Sequence, residues 1–106
     1  MPLTRDYKET INERAQSDPE FANGLLNEAL TLFINGEPEV ARIILRDLVN
    51  STIGFETLAK ETNKPNKSIQ RMLSAKGNPT MDSLSQVFNA LRHRLNVKLT
   101  VHTVDA

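Results

Sequence analysis

Three residues between Phe55 and Ser74 constrain this chain more than any others: Ala59, Asn63 four places later, and Ile69 ten places after Ala59. Two short helices that cross closely need a small side chain at the crossing, a residue tolerant of positive φ in the turn, and an apolar residue sent back from the second helix. Ala59, Asn63 and Ile69 meet those needs in order, and Leu58 and Met72 complete the expected contact. The reading is a helix over Phe55–Thr62, a turn at Asn63, and a second helix that begins at Pro65 or Asn66 and ends near Ser74.

With Ile69, Met72 and Leu73 turned to the core, helical geometry assigns the opposite face to Asn66, Lys67, Gln70, Arg71 and Ser74. Amides suit adenine and cations suit guanine in the major groove, so these five are the candidate base-reading residues. Lys64, Lys76, Gly77 and Asn78 flank the helix and are the candidate phosphate contacts, which orient a protein on DNA without reading sequence.

Around this motif the chain reads as helical. A short polar helix is expected over residues 4–15. Asp18-Pro19-Glu20 is a helix start, since Asp caps free amides, Pro suits the first turn and Glu favours the positive end. Phe21, Leu25, Ala29, Leu32 and Phe33 give that helix an apolar stripe, and Asn35-Gly36 stops it. Glu37-Pro38-Glu39 opens another helix, with Val40, Ile43, Ile44 and Leu48 as its stripe. Gly77-Asn78-Pro79 is a tight loop, and Thr80 caps a helix bearing Leu84, Val87, Phe88 and Leu91. After Asn96 the period becomes two: Val97, Leu99 and Val101 alternate with Lys98, Thr100 and His102, which predicts a strand over 96–103.

The expected fold class is therefore mainly α: a helical bundle holding a helix-turn-helix, with a C-terminal β-strand. A lone strand leaves its amides and carbonyls unpaired, so it is expected to pair across a homodimer through Val97, Leu99 and Val101. Within one compact unit, residues 1–53 form an N-terminal helical region, 54–95 the DNA-binding region and 96–106 the dimerisation strand.

Charge supports this division. The chain has 13 basic and 13 acidic residues. Residues 1–53 carry five bases and nine acids, a balance of −4; residues 54–106 carry eight bases and four acids, a balance of +4. One acidic and one basic half can serve two partners of opposite charge. Cysteine is absent, which excludes disulfides, thiolate nucleophiles and Cys-based zinc sites and fits a reducing compartment. Neither a secretory signal nor an apolar run of roughly 20 residues is visible, so a cytoplasmic location is expected.

The run LAKETNKPNKSIQRMLSAKGNPTMDSLSQVFNA, from Leu58 to Ala90, resembles the addiction-module antidote proteins, the HigA-like antitoxins within the Xre/Cro-type repressor class. The Gly77-Asn78-Pro79-Thr80 loop followed by Leu84, Val87 and Leu91 is its most specific part. A weaker likeness, in which Leu25-Leu26-Asn27-Glu28-Ala29-Leu30 leads to Val40-Ala41-Arg42, extends it over residues 20–101. Thr62 stands where such turns often carry something more apolar, and Pro65 where Ser or Thr commonly caps. The resemblance implies an antitoxin of a type II toxin–antitoxin module that neutralises a basic RelE/ParE-type toxin and represses its own operon by binding a palindromic operator. The acidic half then offers Glu20, Glu28, Glu37 and Glu39 as candidate toxin contacts. A stand-alone Xre-type repressor, or a protein-interaction module without DNA binding, are the alternatives.

No enzyme is expected. His93 and His102 have no nearby third ligand, so no metal or other cofactor is assigned. The pairs Glu37/Glu39 and Asp18/Glu20 sit in first helical turns, where carboxylates are favoured without any catalytic role. Neither a Gly-rich phosphate loop nor a nucleophile motif occurs.

Overall fold

The computed structural model describes residues 18–106, so the polar helix expected over 4–15 lies outside the described residues. Among these residues five helices follow one another: α1 (Pro19–Ile34), α2 (Pro38–Ser51), α3 (Phe55–Thr62), α4 (Asn66–Met72) and α5 (Met81–Leu95). Local chemistry sets their ends. The Asp18 carboxylate accepts from the amides of Glu20 (3.1 Å) and Phe21 (3.3 Å), with Pro19 in the first turn. Thr80 Oγ1 accepts from Ser83 N at 3.1 Å and starts α5.

The stops repeat one device. A residue just past the helix takes left-handed geometry, and the next amide reaches back five residues to a carbonyl of the last turn. Gly36 (φ 85°) does this for α1, with Glu37 N donating to Leu32 O at 2.9 Å. Asn63 (φ 55°) does it for α3, with Lys64 N donating to Ala59 O at 3.1 Å; Asn96 (φ 56°) does it for α5, with Val97 N donating to Arg92 O at 2.9 Å. The positive φ expected at Asn63 is therefore present.

Buried residues from all five helices form one core. Ala22, Leu26 and Ala29 of α1 meet Leu45, Leu48 and Val49 of α2, while Leu58, Ile69 and Leu73 join Leu84, Val87, Phe88 and Leu91. Phe33 and Phe88 meet edge to face, with centroids 6.0 Å apart. The α2 stripe differs from expectation. Val40 and Ile43 are each 48% exposed, whereas Ala41, Leu45, Leu48 and Val49 are fully buried. Seven of the fourteen residues of α2 are Val, Ala, Ile or Leu, so a second register one residue away was equally apolar. Packing on α1 selects the register that puts small Ala41 inward.

The C-terminal strand expected over 96–103 is not formed: residues 97–106 are irregular, and no strand occurs among the described residues. A strand is defined by its hydrogen-bonded ladder, and among the described residues no second strand lies beside the tail to complete one. The alternation was nonetheless informative about burial. Val97 and Leu99 pack, half-buried, on the chain's own core, while Lys98 and Thr100 face out. Val101 breaks the pattern and is 62% exposed. Among the described residues no helix is long and apolar enough to cross a membrane.

Candidate nucleic-acid interface

The seven-residue helix α4 is oriented by what it buries. Ile69 is fully enclosed, Leu73 nearly so, and Met72 is half-buried against the same core. The opposite side therefore presents Lys67, Gln70 and Arg71, all exposed, with Asn66 half-exposed at the helix start. Gln70 Nε2 donates to Asn66 Oδ1, four residues away. This bond holds the two amides together on the outer face and leaves Asn66 Nδ2 and Gln70 Oε1 as donor and acceptor toward a base edge.

Ser74 sits differently from the other four sequence-selected readers. It lies past the end of α4, where its hydroxyl donates to Arg71 O at 2.7 Å. Its carbonyl accepts from Arg42 and its amide also donates to Arg71 O, so the amide, carbonyl and hydroxyl of Ser74 are all engaged around the helix end.

The four candidate phosphate contacts come together. Lys64, Lys76, Gly77 and Asn78 line one hollow of about 320 Å³, shared with Arg71 and Thr80. Gly77 is there for space. A Cβ on it would collide with the Met72 carbonyl oxygen and come within 2.7 Å of Arg71 O. The loop can therefore fold tightly over the end of α4, closed by Gly77 N donating to Ser74 O at 3.0 Å.

Arg42 is the residue that sequence reasoning missed. Only 7% exposed, it reaches from α2 to the end of α4: Nε donates to Ser74 O and Nη2 to Ala75 O, each at 3.0 Å. Ser74 and Ala75 lie just past the last turn of α4, and the planar guanidinium supplies a donor to each of their carbonyls. One signal was available: Arg42 stands three residues before Leu45 and seven before Val49, in register with buried positions.

The other nominated residues are dispersed. Glu20, Glu28, Glu37 and Glu39 are all exposed, along α1 and at the start of α2. An apolar groove of about 590 Å³ that the sequence did not announce lies between α1, α5 and the tail, lined by Phe33, Ile34, Met81, Leu84, Phe88 and Leu99. Met81 and Ile34 on its border are 73% and 52% exposed.

No protein-family model, curated protein or solved structure matches this chain.

The Arg42 contact has a measurable consequence. Arg42→Ala removes two charge-assisted hydrogen bonds and is expected to cost about 2–3 kcal/mol in urea unfolding. Arg42→Lys keeps the charge without the fork of donors and should recover only part of that loss. Parent-like unfolding of Arg42→Ala would refute the role.

Proposed function

We propose that the chain is an antitoxin of a type II toxin–antitoxin module, which represses its own operon by sequence-specific DNA binding and neutralises a basic RelE/ParE-type toxin. One observation carries the reading: the exposed side of α4 joins an amide pair, Asn66 and Gln70, to the cations Lys67 and Arg71, with Lys64, Lys76 and Asn78 gathered in a hollow beside them. In this reading α3 and α4 are a helix-turn-helix, α4 enters the major groove, and the hollow takes a backbone phosphate. The resemblance of residues 58–90 to HigA-like antidotes supplies the toxin.

The reading is tested by gel shift on the promoter upstream of the chain's own reading frame. Gln70→Ala and Arg71→Ala are each expected to lose roughly 1–3 kcal/mol of preference for promoter over mixed-sequence duplex. Lys64→Ala and Lys76→Ala should weaken both duplexes alike. Full preference retained by the Gln70→Ala/Arg71→Ala double variant would remove α4 as the reading helix.

The exposed acidic residues of α1 and the start of α2 are the proposed toxin contacts. Glu20, Glu28, Glu37 and Glu39 are exposed, and complementary charge speeds encounter with a basic partner. Reversing all four to Lys should slow association with the toxin encoded beside this gene, measured by surface plasmon resonance. An unchanged on-rate rejects the site.

A homodimer is the proposed DNA-binding form. Val101 and Val104, 62% and 87% exposed, follow Leu99 out of the apolar groove, and a second copy would cover both tail and groove rim. Two copies would set two α4 helices about one DNA turn apart, on the order of 34 Å. Light scattering at micromolar concentration should give twice the mass of the chain, reduced to one by truncation after Arg94. A single-chain mass for the full-length protein would end the dimer proposal.

A further inference from the structure

A second hollow, of about 420 Å³, lies on the other flank of α4 and is lined by Arg46, Asn50, Phe55 and Gln70. Its position relative to the first hollow follows from the helical period. At about 100° per residue, Lys67 marks the crest of the outward face, Gln70 falls about 60° to one side of it, and Arg71 about 40° to the other. Gln70 borders the Arg46 hollow, and Arg71 borders the Lys64–Lys76 hollow. The exposed ridge of α4 is therefore bracketed by two hollows, each lined by at least one cation.

The register of α2 beside α4 is independently set. Arg42, Arg46 and Asn50 are spaced four apart and form one row along α2. Arg42 is fastened to Ser74 and Ala75 at the end of α4. One turn further along α2, Arg46 lies by Gln70, one turn back along α4. The buried member of the row thus holds its two exposed members alongside the reading face. Among the described residues neither the Arg46 nor the Asn50 side chain is engaged in an ion pair or a hydrogen bond.

We propose that Arg46 and Asn50 form a second phosphate-binding site, which grips the DNA strand on the α2 side of the reading helix. The inference rests on the DNA-binding reading above and deepens it. The major groove is about 12 Å wide, and a helix with its side chains is roughly 10–12 Å across, so a helix seated in the groove has a phosphate backbone on each side. The Lys64–Lys76 hollow meets one backbone. Arg46 meets the other, with its guanidinium paired to phosphate oxygens and the Asn50 amide donating beside it. The consequence for the charge pattern is specific: Arg46, counted within the acidic half of the sequence, belongs to the DNA side of the molecule.

The test is fluorescence anisotropy of the full chain with a mixed-sequence duplex about three helical turns long, titrated across salt concentrations. Neutralising one phosphate contact lowers the slope of log affinity against log salt by about 0.9. Arg46→Gln is expected to show that drop, and Arg46→Lys to keep the parent slope. Asn50→Ala, which removes a neutral donor, is expected to weaken binding with the slope unchanged. Both positions are exposed, so the thermal midpoints of all three variants should stay with the parent. If Lys76→Gln lowers the slope while Arg46→Gln does not, the second site is refuted and the DNA-binding reading stands. If the parent chain shows no salt-dependent binding to duplex, both fall together.

Discussion

The burial of Ile69 and Leu73 is the contact on which the candidate interface depends. Seven residues are too few for a helix to persist alone in water, because the cost of nucleation is not recovered over so short a length. The helix α4 exists because its inner side enters the core beside Leu58, and that burial fixes which residues point outward. Lys67, Gln70 and Arg71 are displayed as a consequence of where Ile69 goes. A rotation of α4 by one residue would turn Arg71 or Gln70 inward and Ile69 outward, which buries a polar side chain without a partner at the expense of an apolar one.

Around this anchor the structure adds fastenings at the weak end of the helix. The last carbonyls of a short helix have no intrahelical donors. Here the Ser74 hydroxyl, the Gly77 amide and the Arg42 guanidinium converge on them and on the following loop. The absence of a side chain at Gly77 lets the loop carrying Lys76 and Asn78 close over the helix end. The same Arg42 ties α2 to that loop. The acidic N-terminal half and the basic C-terminal half are thus joined by a buried cation as well as by the common core. A partner that shifted α2 would also shift the row Arg42–Arg46–Asn50 beside the exposed face of α4.

Much of the fold was legible because the signals that end helices are local. Asp18, Thr80, Gly36, Asn63 and Asn96 act on amides and carbonyls within about five residues, so their identity and position suffice to place a helix boundary. The candidate site was legible for a related reason. Once Ala59, Asn63 and Ile69 define two crossed helices, the period of 3.6 residues assigns the outer face. What escaped was non-local. The register of α2 depended on which of two equally apolar stripes met α1, and only the packed helix pair distinguishes Ala41 from Val40.

Among the described residues, the sequence by itself therefore determined the helices, most of their ends and the outer face of α4 except Ser74, which falls past the helix end, since each follows from interactions a few residues apart. Tertiary structure alone decided three further matters. It turned Arg42 inward to Ser74 and Ala75, more than thirty residues away. It brought Arg46 and Asn50 beside Gln70, which assigns a residue of the acidic half to the basic surface. It also left the alternating tail without a ladder: period-two hydrophobicity specifies which side chains can face a core, but a strand requires a second backbone at hydrogen-bonding distance. Val97 and Leu99 found the core of their own chain, and the backbone between them stayed irregular.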